Sequence, residues 1–213
     1  MTDFDKDTYQ TPNYVRNWLN HRYAWFHIDG CSNGKNALYS HWIGKAAEGL
    51  DEDTLSGQIA EDFLAENLLD VILECVADWG ELLRIFVNPP YSNPLPFVQR
   101  AAELKKAGHI VVMLLPADKS TRWYQVIQEN ASEVIDIIGG RINFINPLTD
   151  EEVKGNSKGS MVAVFDPFVE GMLPVKCRWI RLRSWAAMKN NEGWDGLDKA
   201  YHCLSRNKKK WGQ

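Results

Sequence analysis

Cysteine is scarce in this chain, and the few cysteines stand apart. The four, Cys31, Cys75, Cys177 and Cys203, form neither a Cys-x-x-Cys pair nor the dense spacing of a secreted disulfide domain. A reducing intracellular environment is therefore expected. No apolar run approaches the ~20 residues that a membrane span needs, and the acidic, polar N-terminus is unlike a secretory leader. The sequence predicts a soluble protein that is not associated with a membrane.

Positive charge is scarce over most of the chain and is concentrated near its end. Residues 1–170 carry 14 basic and 25 acidic residues, whereas residues 171–213 carry 10 basic and 3 acidic ones. Basic residues alternate with apolar ones at Lys176, Arg178, Arg181 and Arg183, as they would on one side of a strand. This pattern indicates a phosphate-contacting face. For residues 208–210, a solvated tail is an equally good interpretation.

The most informative feature is the tetrapeptide Asn88-Pro89-Pro90-Tyr91, which follows the apolar run 82–87. An exocyclic base amine is a poor nucleophile because its lone pair is delocalised into the ring. The Asn88 side-chain oxygen and the Pro89 carbonyl are two acceptors that could hold the amine hydrogens, and consecutive prolines remove competing backbone donors. Tyr91 offers a ring face to a flipped base. The tetrapeptide thus predicts methyl transfer to a planar amine, unless it merely ends a strand.

The sequence lacks the residues that other reaction types would require. No cysteine lies in or near residues 88–92, as the thiol-dependent methylation of cytosine would require. The five histidines are scattered, so the sequence supports neither a metal site nor a Ser-His-Asp hydrolase. We therefore expect no metal.

Several further segments occur in a characteristic order around the tetrapeptide. They are Gln10-Thr11-Pro12, residues 28–32 with Asn36-Ala37, Asp78-Trp79, residues 112–118 with 121–123, residues 140–144 and residues 161–165. Together these segments resemble the phage and prophage DNA adenine methyltransferase (Dam) family over most of residues 7–168. The resemblance implies S-adenosylmethionine as cofactor, double-stranded DNA as partner, and a phage-encoded enzyme in the bacterial cytoplasm. We expect a monomer.

The resemblance also implies which residues bind the cofactor. They are Gln10, Thr11, Pro12, Asp29, Gly30, Cys31, Asn36 and Asp78. Asp29 is expected near the methionine amino group, although an N-cap or an Asx turn would also suit it. Asp78 is expected to lie toward the adenine of the cofactor, or else to cap the turn at Gly80. The carboxylate for the ribose is not identifiable among Glu48, Asp51 and Asp53.

Alternating elements predict an α/β fold, a Rossmann-like methyltransferase core with a mainly parallel sheet and an antiparallel ending. Helices are predicted at 14–21, 56–76, 97–107 and 121–129, and strands at 25–28, 83–87, 109–115, 134–138 and 160–165. Residues 146–158 are predicted to form a polar loop. The domain division is expected to be a core at 1–170, with the basic segment 171–213 packed on it.

The sequence as a whole predicts a DNA N6-adenine methyltransferase that flips its target base. The chain between the cofactor loop at residue 29 and the tetrapeptide at residue 88 is too short to hold a large DNA-reading insertion. DNA contacts are therefore expected from other segments. The candidates are Lys119, Arg122, Arg141, Arg178, Arg181 and Arg183. Two alternatives remain open at this stage: methylation of a protein glutamine or an RNA base, and a noncatalytic phage protein that binds nucleic acid.

Overall fold

The structure is a computed structural model that describes residues 6–178. One eight-stranded sheet has the order β3-β2-β1-β4-β5-β7-β6-β8. Its strands are β1 Ile28–Asp29, β2 His41–Ile43, β3 Gln58–Ala60, β4 Arg84–Val87, β5 Ile110–Pro116, β6 Glu133–Ile138, β7 Ser160–Phe165 and β8 Leu173–Arg178. The helices are α1 Asn13–Tyr23, α2 Glu52–Ser56, α3 Leu68–Trp79, α4 Leu95–Lys106 and α5 Arg122–Asn130, after a 3-10 turn at Lys6–Thr8. The predicted α/β class is confirmed.

Seven of these strands run in one direction, and β7 is antiparallel to both of its neighbours. This arrangement confirms the predicted mainly parallel sheet with an antiparallel ending. Because the strands are parallel, the carboxyl ends of β1, β4, β5, β6 and β8 all lie at one edge of the sheet. We call this edge the carboxyl edge.

Both faces of the sheet are buried, and the strand residues alternate between two cores. In β4, Ile85 and Val87 pack with α3, α4 and α5, whereas Phe86 packs on the opposite face with Trp18 and Leu19 of α1. A parallel strand covered on both faces should be apolar throughout, and β5 has this composition. No helix within residues 6–178 is long and apolar enough to cross a membrane.

The predicted helix over 56–76 was wrong in its first half. Residues 58–60 form strand β3, and α3 begins only at Leu68. A Cβ at Gly57 would lie 2.0 Å from the Ser40 carbonyl oxygen, so glycine lets the backbone approach the chain that leads into β2. The Asp62 side chain then accepts from the Leu64 N–H at 2.8 Å and forms a turn. The apolar residues at helical spacing in this region therefore serve three different elements.

Two strand positions also differed from expectation. The first strand is Ile28–Asp29 rather than 25–28, and β2 was not predicted. The other predicted helices and strands occur within about two residues of their expected bounds, as sequence patterns usually allow. β8 pairs with β6, so the beginning of the basic segment 171–213 belongs to the sheet.

Candidate active site

The candidate site lies where the strand order of the sheet reverses. From β1 the chain goes to β2 and β3 on one side, and then returns to β4 and β5 on the other side. Asp29 ends β1 and Asn88 follows β4, which is the hydrogen-bonded neighbour of β1. Open α/β sheets bind ligands in the crevice at such a reversal, outside the carboxyl ends of the strands. The two residues that the sequence singled out therefore flank the crevice.

The Asn88 side chain is held by one hydrogen bond. Its Nδ2 donates to Thr11 Oγ1 at 3.0 Å. Its Oδ1 is buried and has no hydrogen-bond partner among the described residues. A buried acceptor without a partner is costly, so this oxygen is available to a donor that enters the cavity. The atom that the sequence predicted to accept from an amine is therefore the atom that the structure leaves available.

A cavity of about 270 Å³ opens beside this oxygen. The loop at residues 88–92, which we call the catalytic loop after its predicted role, contributes Asn88, Pro89 and Tyr91 to its wall. The opposite wall comes from Phe144, from residues 156–160 and from the N-terminal Asp7 and Tyr9. The wall thus combines aromatic rings with polar side chains, which suits a planar ligand that carries hydrogen-bonding groups.

Tyr91 contributes a ring rather than a hydroxyl to this cavity. Its ring meets the Phe144 ring edge to face, with centroids 5.8 Å apart and an interplanar angle of 87°. Its hydroxyl oxygen is buried without a partner among the described residues. Burial raises the pKa of the Tyr91 phenol far above its ordinary value, so the side chain stays neutral.

Asp7 was not anticipated as a site residue. Its Oδ1 accepts from the backbone N–H of Tyr91 at 2.8 Å and from that of Ser92 at 3.2 Å. The two residues are 84 and 85 positions away along the chain. No local pattern in the sequence signals a contact of this length, so sequence reasoning missed it.

Asp29 is almost fully buried, with 3% of its surface exposed. Its Oδ1 accepts from the Cys31 N–H at 3.2 Å, and its Oδ2 accepts from the Leu38 N–H at 3.1 Å. Burial raises the pKa of Asp29 to about 7, and the two backbone hydrogen bonds oppose this rise. The turn-forming role that the sequence left open is thus present in the structure, at the crevice where a cofactor role was also expected.

The loop after Asp29 is held by short-range hydrogen bonds. Asn36 Oδ1 accepts from the Ser32 hydroxyl at 2.8 Å and from the Asn33 N–H at 2.9 Å. A Cβ at Gly30 would lie 2.9 Å from Val87 Cγ2, and 3.0 Å from the Phe63 ring, so Gly30 lets this loop lie against the end of β4. Asn36 and Gly30 therefore shape the crevice.

Cys31 is half-buried and lies close to Asp29, whose Oδ1 accepts from its N–H. Burial, assisted by the charges of Asp29 and Asp62, raises the pKa of the Cys31 thiol well above its ordinary value. The thiol therefore stays protonated. Its contribution to the crevice is a packing surface rather than a nucleophile.

Asp78 is not brought to the crevice. It is exposed in the last turn of α3, which leads into the amino end of β4. That end lies at the edge of the sheet opposite Asn88. Gly80 ends α3 with φ 72°, and its N–H donates to the Val76 carbonyl. The expectation that Asp78 lies toward the cofactor adenine is therefore not supported by its position.

The three acidic candidates for the ribose lie between β2 and β3. All are exposed, and Asp51 caps α2 by accepting from the Thr54 N–H at 2.7 Å. Asp62 stands after the carboxyl end of β3 and acts electrostatically on Cys31. Sequence reasoning missed Asp62 because its strand was interpreted as helix.

The predicted DNA-contacting residues within the described range follow β5 and β6 or end β8, at the carboxyl edge. Lys119 pairs with Asp136 at 2.8 Å, and Arg141 donates to the Asn156 carbonyl. Arg122 and Arg178 are exposed. Arg181 and Arg183 lie outside the described residues. Within residues 6–178, no group of three or more His, Cys, Asp or Glu side chains could hold a metal ion.

One basic residue at the cavity was not predicted. Lys158 lines the cavity wall, and its Nζ pairs with Asp118 Oδ2 at 2.6 Å. Its hydrogen bond is the main reason why the pKa of Asp118 falls to about 2, with further hydrogen bonds from Ser120. The polar composition of residues 146–158 predicted a loop but did not indicate which of its residues would face the cavity.

Known proteins are similar to this chain in sequence. The model of the DNA N-6-adenine-methyltransferase (Dam) family matches residues 61–191, more than half of the chain. A DNA N-6-adenine-methyltransferase of Haemophilus phage HP1 is 33% identical over 168 residues, which cover 76% of this chain and 80% of the phage protein. A protein of the same name from Escherichia phage T1 is 29% identical over 184 residues, covering 79% of this chain and 66% of the T1 protein. The chain therefore belongs to the DNA N-6-adenine-methyltransferase (Dam) family of enzymes, as the order of its motifs had indicated.

Proposed function

We propose that this protein transfers the methyl group of S-adenosylmethionine to the exocyclic amine of an adenine flipped out of duplex DNA. The observation that carries this proposal is the buried Asn88 Oδ1, which has no partner among the described residues and adjoins the cavity. An amide oxygen accepts hydrogen bonds and cannot donate them, so its ligand must present a donor. An adenine amine presents two N–H donors. Family membership and the site chemistry thus agree on the reaction.

The catalytic loop would act by holding the amine in the reactive geometry. Asn88 Oδ1 and the Pro89 carbonyl accept its two hydrogens, so the nitrogen lone pair is turned out of conjugation with the ring. The Tyr91 and Phe144 rings are perpendicular to each other and present aromatic surface to the base. Positioning of this kind supplies much of the rate enhancement when no covalent enzyme intermediate forms.

The cofactor would occupy the crevice between β1 and β4. When bound, it supplies an electrophilic methyl group on a sulfonium centre. Asp29 fits the cationic amino group of the methionine part, since a buried carboxylate gains most from a nearby positive charge. Asp62 is proposed to accept hydrogen bonds from the ribose hydroxyls. It follows β3, and its charge raises the pKa of Cys31, which is close to Asp29.

The DNA duplex would lie across the carboxyl edge. Lys119, Arg122, Arg141 and Arg178 belong to segments at this edge, where the cavity also opens. Basic side chains at such an edge attract phosphates even though residues 1–170 carry more acidic than basic residues. The adenine must leave the base stack to reach Asn88, as base-modifying enzymes generally require.

The decisive experiment compares Asn88→Ala with Asn93→Ala, a matched change at an exposed residue of the neighbouring turn. The proteins are incubated with S-adenosylmethionine and unmethylated genomic DNA, and N6-methyladenine is measured by mass spectrometry. We expect Asn88→Ala to lower the rate about 100-fold or more, as loss of one oriented polar contact does elsewhere. Asn93→Ala should retain activity.

Cofactor affinity and thermal unfolding serve as controls for the Asn88 variant. Cofactor affinity should stay near its wild-type value, because Asn88 Oδ1 is needed only when the amine is oriented. The unfolding temperature should fall only slightly, because the variant loses the single hydrogen bond to Thr11. A folded Asn88→Ala protein with full activity would refute the proposed function.

A further inference from the structure

The N-terminal segment, residues 7–12, contacts the catalytic loop at both of its ends. Thr11 Oγ1 accepts from Asn88 Nδ2 at the start of the loop, and Asp7 Oδ1 accepts from the N–H groups of Tyr91 and Ser92 at its end. Between these contacts the prolines leave the loop without backbone N–H donors at positions 89 and 90. The segment therefore supplies acceptors on both sides of the two prolines.

The segment is itself held in place. Gln10 and Ile145 exchange backbone hydrogen bonds of 2.9 and 3.0 Å, and Pro12 leads directly into α1. Phe144, next to Ile145, packs against the Tyr91 ring. Contacts thus run from the N-terminal segment to residues 144–145, from there to the catalytic loop, and back to the segment. A closed set of contacts resists displacement of any one member.

Thr11 contacts the Asn88 amide on the side away from its unpartnered oxygen. If the amide turned over, its NH2 group would face the cavity and would meet the N–H donors of an amine, which repel it. In the observed orientation Nδ2 donates to Thr11 Oγ1 while Oδ1 has no partner among the described residues, so the hydroxyl holds the side chain with its acceptor left for the amine. The hydroxyl acts on the reaction through Asn88.

From these contacts we infer that Asp7 and Thr11 are positioning residues of the methyl-transfer site, which fix the Tyr91 end and the Asn88 amide of the catalytic loop. The inference rests on the proposed function of that loop. It assigns Thr11 a role toward Asn88 in addition to any role toward the cofactor, and it gives Asp7 a role in catalysis.

Two pairs of variants test the inference in the full-length chain. Asp7→Ala removes the carboxylate, whereas Asp7→Asn can keep both hydrogen bonds, because a single oxygen accepts them. Thr11→Val removes the hydroxyl, whereas Thr11→Ser keeps it. In each pair, the second variant controls for any general effect of changing the residue.

The measurements are single-turnover methylation of DNA, calorimetric titration with S-adenosylmethionine, and thermal unfolding. We expect Asp7→Ala and Thr11→Val to lower the rate of methyl transfer at least about tenfold, since small misplacements of a reacting group are costly. Asp7→Asn and Thr11→Ser should remain within about threefold of the wild-type rate, because their acceptors persist. Cofactor affinity should change little in the Asp7 pair.

Two outcomes would overturn the inference. One is equal rates within each pair when both members are folded. The other is a change only in thermal stability or in cofactor affinity, with methyl transfer at saturating cofactor unaltered. If Asn88→Ala is inactive while both pairs keep full rates, only this inference fails. If Asn88→Ala is active, the proposed function fails first.

Discussion

Asp29 should make the stability of the free protein depend on pH. Its pKa is about 7 in the folded chain, against 3.8 for the unperturbed group, because the folded state buries it. A raised pKa means that the folded state holds the proton more tightly than the unfolded state does. The stabilisation is fully present below about pH 3.8, and it is lost as pH rises through about 7.

The size of the effect follows from the shift. A shift of one pKa unit corresponds to about 1.4 kcal/mol, so the whole loss is about 4 kcal/mol in the free energy of unfolding. Between about pH 4.5 and pH 7.5, the loss from Asp29 alone should be roughly 3 kcal/mol. Other groups also titrate in this window, so a difference between two proteins is the useful quantity.

The assay is urea unfolding of the wild type and of Asp29→Asn across this window. Asn cannot accept from both the Cys31 and the Leu38 N–H groups, so the variant should be less stable at low pH. The gap between the two proteins should then close by roughly 3 kcal/mol as pH rises, because only the wild type loses stability through residue 29. A gap that is constant with pH would refute the reasoning.

The same experiment with saturating S-adenosylmethionine probes the proposed contact to its amino group. A nearby cation favours the ionised carboxylate and lowers the pKa of Asp29 in the complex. The pH dependence assigned to Asp29 should therefore become shallower when the cofactor is bound. An unchanged dependence would assign Asp29 to the turn alone.

Two further predictions concern residues of the cavity wall, Tyr91 and Lys158. Tyr91→Phe should keep methyl transfer and stability near wild-type values, because the lost hydroxyl is buried without a partner among the described residues. Tyr91→Ala should lose activity with the ring, and equal activities of these two variants would contradict the ring's role. Lys158→Gln should reduce the slope of log DNA affinity against log salt by about one, because Lys158 lies at the cavity wall. Lys154→Gln, an exposed change in the same loop, should leave that slope unchanged. If the two lysine variants behave alike in fluorescence titrations, Lys158 does not contact phosphate.

The sequence predicted those features whose signals are local. The buried parallel strands are apolar throughout, and the catalytic tetrapeptide stands directly after one of them, so both were recognised. The region 56–76 was misread because a strand, a turn and a helix placed their apolar residues at spacings that together mimic one helix. Because of this error, Asp62 was not recognised as a residue that follows a strand. Asp78 was expected in a loop because the predicted helix ended at residue 76, whereas α3 extends three residues farther.

The contacts of Asp7 could not be predicted for a different reason. A carboxylate that accepts from backbone N–H groups more than 80 residues away has no signature in its own neighbourhood. The Asn88 amide was predicted as an acceptor, but the hydroxyl that accepts from its Nδ2 lies 77 residues away. Such pairings depend on the completed fold.

The long separation of these contacts has a consequence for how the enzyme matures. During synthesis, residues 7–12 leave the ribosome well before their partners at 88–92 and at 145. Contacts between distant parts of a chain pay a large loop-closure entropy and form late in folding. The active site is therefore expected to be completed after the central strands have assembled, when residues 7–12 come to lie against residues 88–92 and 145. A nascent chain that lacks residue 145 would hold its catalytic loop without the full set of contacts.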